Sequence, residues 1–119
     1  MKINIKATDL ELTPAIEGYI RKKFQSLDNL LQTFEDEGNV YIYFEIARTT
    51  HHHKSGKIFY AEANVDLLGE NIRAQKKEED IRAAIDEVKD ILRRKIREVK
   101  EKRIDQKREA KRPGKPKEL

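Results

Sequence analysis

The chain has 119 residues, no cysteine, 40% charged against 37% hydrophobic residues, and a net charge of +4. That length fits one domain with a modest core, and so high a charge content predicts solvated helix surface or tail beside it. Disulfides, thiol catalysis and cysteine-based zinc sites are excluded, and with no signal-peptide pattern and no long apolar run the expected setting is cytoplasmic, away from membranes.

Lys2 to Ala7 alternates Ile3, Ile5 and Ala7 against Lys2, Asn4 and Lys6, the period of a half-buried strand. Thr13-Pro14 reads as a helix start, with the Thr13 hydroxyl as N-cap and Pro14 in the first turn, where no amide donor is needed. Ile16, Ile20, Phe24, Leu27, Leu31 and Phe34 carry the apolar face of one helix, and Gly38 is the place for the chain to turn. Val40, Ile42, Phe44 and Ile46 then alternate with Tyr41, Tyr43, Glu45 and Ala47 in a second strand. Arg48 to Lys57 is expected to form a long hairpin loop. Phe59, Ala61, Ala63, Val65 and Leu67 alternate in a third strand, Gly69-Glu70-Asn71 supplies a turn, and Ile72 and Ala74 face inward on a short fourth strand.

From Glu78 to about Lys107 the pattern becomes helical. Ile81, Ala84, Ile85, Val88, Leu92, Ile96 and Val99 recur on one face, and the acidic run Glu78, Glu79, Asp80 is placed in the first turn, where it complements the helix dipole. Roughly a quarter turn away, Arg82, Lys89, Arg93, Arg97 and Lys100 form a second stripe. Glu87, Asp90, Glu98 and Glu101 occupy a third sector, so the signs are segregated. Acids outnumber bases before Arg82, and bases outnumber acids after it.

The order β-α-β-β-β-α predicts an α+β fold. A four-stranded mixed sheet, its first two strands parallel, carries two helices on one face, as in double-stranded-RNA-binding domains. Tyr41, Tyr43, Tyr60 and Glu62 are left on the open face. Residues 1–108 would form this domain, with the second helix projecting beyond the sheet; 109–119, containing Pro113, Gly114 and Pro116, would be a basic, disordered tail.

Two helices side by side would bring Lys22 and Lys23 of the first against the basic stripe of the second, offering cations from two elements to an RNA backbone. Arg94 falls in the acidic sector, where pairing with Asp90 or Glu98 is expected. The open-face tyrosines could stack unpaired bases, yet tyrosine is also a favoured cross-strand partner, and no basic setting is expected around them. His51, His52 and His53 point alternately if extended, so they do not converge on one metal ion; a weakly basic loop near RNA fits them better. No nucleophile elbow, HExxH or glycine-rich phosphate loop is present, so neither catalysis nor a cofactor is expected.

The run EEDIRAAIDEVKDILRRKI, with Asp80, Ala83, Ala84, Ile85, Asp86, Leu92, Arg94 and Ile96 at the matching positions, resembles the second-helix signature of ribosome hibernation promoting factors. It is similar also to the related ribosome-associated inhibitor A, or sigma-54 modulation, proteins. Ile3 to Ile5, Leu12-Thr13-Pro14-Ala15-Ile16, and Lys23-Phe24 with Leu27 resemble the family's first half. The resemblance, covering residues 1 to 103, implies a non-enzymatic translation inhibitor. It would bind the small ribosomal subunit and its ribosomal RNA at the decoding region, blocking messenger RNA and A- and P-site transfer RNA. It adds Lys23 and Arg94 as RNA contacts; Lys22, Arg82, Lys89, Arg93, Arg97 and Lys100 rest on charge placement. Arg82 stands where the family commonly has an aromatic residue. The chain looks like the short form, without the domain that pairs two ribosomes, and a monomer off the ribosome is expected. A general RNA-binding or RNA-chaperone module using the tyrosine face is the alternative, and a protein that pairs through its long helix is a third possibility.

Overall fold

The computed structural model describes residues 1–36, 38–49 and 58–110. Its elements are β1 (Lys2–Thr8), α1 (Pro14–Gln25), α2 (Asp28–Glu35), β2 (Tyr41–Thr49), β3 (Ile58–Leu67), β4 (Glu70–Glu78) and α3 (Ile81–Ala110). The strands form one sheet in the order β1-β2-β3-β4. The β1–β2 pair is parallel, and β2–β3 and β3–β4 are antiparallel, as the connections require.

The register puts Ile3, Ile5 and Ala7 beside Ile42, Phe44 and Ile46, and the β2 residues in turn beside Val65, Ala63 and Ala61. Every second residue therefore faces one side, and the helices cover that side. Ile20, Phe24, Leu27, Leu31 and Phe34 from the first two helices meet Ala84, Ile85, Val88, Leu92 and Ile96 of α3 in a single buried cluster over the sheet. At its centre the Phe24 and Phe44 rings lie 5.0 Å apart, tilted by 59°. Transfer of so much apolar surface out of water is what fixes the helices to the sheet.

The expected single helix after Thr13 is two. Its start is as read, with Thr13 Oγ1 accepting from the Ile16 amide at 3.2 Å and Pro14 at the first position. The break falls at Ser26-Leu27, where the Ser26 hydroxyl donates to the Lys23 carbonyl at 2.6 Å and the Leu27 amide bonds to Phe24 O at 3.0 Å. A serine hydroxyl competing for a helix carbonyl, together with a tightened last turn, ends α1 without moving Leu27 or Leu31 out of the core.

Other boundaries shift. Arg48 and Thr49 belong to β2, paired with Phe59 and Ile58, and the histidine loop lies outside the described residues. The β3–β4 turn is Leu68-Gly69, both at positive φ (53° and 80°), the mark of a two-residue type I′ hairpin, so Glu70 and Asn71 are already in β4. Strand β4 continues through Lys76 to Glu78, because its inner face there meets Ala61 and Phe59. Glu78 thus ends a strand and does not enter the first turn of α3; Asp80 caps that helix, its carbonyl accepting from Ala84 N at 3.1 Å. Residues 104–109 of α3 are all exposed, beyond the last packed side chains, Val99 and Arg103.

Candidate nucleic-acid interface

Burial of Ile85, Val88, Leu92 and Ile96 sets the rotation of α3 about its axis. A quarter turn from that apolar stripe, its basic side faces α1. The groove between the two helices is closed at its floor by hydrogen bonds. Tyr19 of α1 donates its hydroxyl to both carboxylate oxygens of Asp86 on α3, at 2.7 and 2.9 Å. Lys23 Nζ lies 3.5 Å from the same carboxylate and 5.3 Å from the centre of the Tyr19 ring, and the Arg82 guanidinium lies 5.3 Å from that ring as well. Two cations on one electron-rich ring, with a carboxylate below, hold the helices together and keep both charges at the surface.

The Asp86 charge, and then Tyr19, hold the Lys23 ammonium above its ordinary value. Burial first, and then the hydrogen bond to Asp86, push the Tyr19 phenol up. Both groups therefore keep their protons at neutral pH.

Two turns further along α3, Arg93 Nη2 donates to Ser26 Oγ at 2.8 Å, so the residue that breaks the first helix also anchors a guanidinium of α3. Lys89 lies between these two clusters, its side chain only 14% exposed, and pairs with Asp90 at 2.7 Å. Arg97 and Lys100 continue the line; among the described residues neither they nor Arg82 or Arg93 has a carboxylate at salt-bridge distance.

The structure thus brings together Lys23, Arg82, Lys89 and Arg93 at the groove between α1 and α3, while Arg97 and Lys100 carry the same stripe of α3 on past the end of α1 at Gln25, toward the stretch where α2 packs. Lys22 sits apart on the outer crown of α1, exposed to solvent. Arg94 is exposed on the β4 side of α3's crown, and the pairing with Asp90 expected for it is made by Lys89 instead. Sequence reasoning missed Tyr19 and Ser26, and it reached Asp86 only through the family resemblance. The available signal was a matched spacing, Tyr19 to Lys23 and Arg82 to Asp86, each one helical turn.

The open face carries Tyr41 and Tyr43 exposed, as expected, but its cations were not foreseen. Lys2 stands beside Tyr41 and Lys6 beside Glu45, and Arg73 lies 2.9 Å from Glu62. Glu62 also accepts from Tyr60 and from Asn64 at 2.8 Å, and these donors, the Tyr60 hydroxyl first, hold its carboxyl below the usual range. Tyr60 bonds Gln75 too, at 2.7 Å, so its ring is fixed in a polar cross-strand lattice. Among the described residues no cluster of histidine and carboxylates could hold a metal ion, and no helix is long and apolar enough to cross a membrane.

Residues 3–104 match the family described as sigma 54 modulation protein / S30EA ribosomal protein. A ribosome hibernation promotion factor of Picosynechococcus sp. is 32% identical over 108 residues, which are 90% of this chain and 53% of that protein. The chain thus spans about half the length of that relative. It spans 96% of a Klebsiella oxytoca ribosome hibernation promoting factor, to which 86% of it is 31% identical. The crystal structure of the Thermus thermophilus Protein Y N-terminal domain superposes with a TM-score of 0.66 at 28% identity, covering 83% of this chain and 99% of that one. A ribosomal subunit interface protein from Coxiella burnetii shares the fold, with a TM-score of 0.61 at 24% identity over 85% and 99%.

Proposed function

The chain belongs to the sigma 54 modulation protein / S30EA ribosomal protein family, and from that premise we propose that it is a ribosome hibernation factor. It binds the small subunit at the decoding region and inhibits translation by occupying the place of messenger RNA and of A- and P-site transfer RNA. The supporting observation is the basic stripe of α3 that begins in the groove against α1, where Arg82 and Arg93, and further along the helix Arg97 and Lys100, present charge with no described carboxylate at salt-bridge distance while the core holds their backbone rigid. A rigid row of cations suits a folded RNA, whose phosphates are fixed in space. Lys23 and Lys89 within the groove, and Lys22 and Arg94 outside it, complete the proposed contact set. The reading needs no chemistry: inhibition follows from exclusion, and the setting is the cytoplasm.

Co-sedimentation tests it. Empty ribosomes should carry the protein into the pellet, and ribosomes preloaded with messenger and transfer RNA should not. Equal recovery with both would refute occupancy of the decoding region.

A second reading, general single-strand binding by the sheet, draws on the exposure of Tyr41 and Tyr43. It requires binding to naked RNA as tight as to ribosomes, lost when both tyrosines are replaced by alanine. The fixed, carboxylate-bonded state of Tyr60 favours the first reading.

A further inference from the structure

Asp86 is out of place on a surface that meets phosphates. It sits in the cationic groove with 38% of its side chain exposed, one turn from Arg82 and two turns from Arg93. An acid there weakens the attraction of the whole row for RNA. It also engages Lys23 at 3.5 Å, which confines that cation to a phosphate fixed within its reach and withholds it from a mobile strand.

We propose that Asp86 is a specificity-determining residue of the groove: by engaging Lys23 and placing a negative charge between Arg82 and Arg93, it rejects unstructured RNA strands while admitting folded RNA. The inference rests on the groove being the RNA seat. An unstructured strand binds by laying successive phosphates along a continuous positive track, which tolerates almost any sequence or shape. Asp86 interrupts that track. A phosphate passing about 6 Å from the carboxylate, at an effective dielectric between the surface and bulk-water values, is disfavoured roughly tenfold. Folded RNA escapes this penalty when its fixed phosphates meet the cations around Asp86 and none passes over the carboxylate itself. Discrimination here comes from a repulsive element beside attractive ones. The arrangement also explains why Tyr19 spends its hydroxyl on both oxygens of Asp86: the hydrogen bonds hold the charge at one point of the groove.

The experiment compares a labelled oligouridylate with empty ribosomes, each titrated across about 50 to 200 mM salt. Asp86→Asn keeps an oxygen to accept from Tyr19 and removes the charge; Asp86→Ser is a second neutral replacement, read in parallel in case the first does not fold. Either should bind oligouridylate about tenfold tighter than the original chain, with a salt slope steeper by about 0.7 as Lys23 takes up one phosphate, so that the ratio of ribosome affinity to oligouridylate affinity falls by about threefold or more. Tyr19→Phe removes the hydrogen bonds and leaves the charge, so it should not reproduce the gain. The proposal is overturned if the neutral variants leave oligouridylate affinity and slope unchanged, if they tighten both RNAs alike, or if Tyr19→Phe gives the same gain as they do. The underlying reading fails separately, if the unsubstituted chain does not bind ribosomes at all.

Discussion

Replacing Arg93, Arg97 and Lys100 together by glutamine removes three positive charges from the basic stripe of α3 without touching a buried apolar atom. Each phosphate neutralised on a duplex-like RNA contributes about 0.9 to the slope of log affinity against log salt, so three contribute about 2.7. Over a fourfold change in salt, from about 50 to 200 mM, that amounts to roughly a 40-fold loss of affinity shown by the original chain and absent from the variant. The fold should pay little: the one structural bond lost is Arg93 to Ser26 at 2.8 Å, an exposed hydrogen bond of about 1 kcal/mol or less. The assay is ribosome pelleting at graded salt, with thermal melting as the control for folding. Parallel salt lines for the two proteins, with both fully folded, would refute the placement of RNA along this stripe.

Two further outcomes follow from the packing. Glu87 Oε2 is buried without a hydrogen-bond donor, and the side-chain hydrogen bond to Glu78, followed by burial, holds the Glu87 carboxyl above its ordinary range. Its charged form is therefore penalised in the fold above that raised value, and the penalty disappears as pH falls toward the unfolded value; Glu87→Gln should raise the melting temperature at neutral pH and lose its advantage near about pH 4. Phe24→Ala should cost about 3–5 kcal/mol, because Phe24 is fully buried against Phe44 where the helices meet β2; a denaturant midpoint unchanged from the original would contradict the core described here.

Much of the fold is legible in the chain because each element's period agrees with its burial. Ile3, Ile5 and Ala7 alternate as strand residues, and they pair in register with the alternating Ile42, Phe44 and Ile46. Thr13-Pro14 reads correctly because a cap is a local event. The Ser26 break is not legible, because Leu27, Leu31 and Phe34 keep the helical spacing across it and only the hydroxyl's bond to Lys23 O interrupts the backbone. Strand β4 outlasts its apolar pattern for a different reason. Lys76 and Glu78 hold strand pairing through backbone bonds opposite Ala61 and Phe59, and charged side chains at the rim reach solvent.

The groove was half legible, and the missing half is instructive. A helical wheel gives the angle between the apolar stripe of α3 and its basic stripe, so the cations of Arg82 to Lys100 could be read as one line. It cannot say which neighbour that line faces; β4 lies on the other flank, where Lys95 donates to the Arg73 carbonyl at 2.7 Å. The answer depends on the core, since burying Ile85, Val88, Leu92 and Ile96 over β3 and β4 leaves the basic side to α1, with α2 beyond its end. A slip of one residue in α3 would turn the stripe by about 100° and scatter the cations away from Lys23 and Ser26. The apolar residues therefore determine the site as much as the charged ones do: they aim it, and the hydrogen bonds of Tyr19 and Ser26 across the groove match that aim.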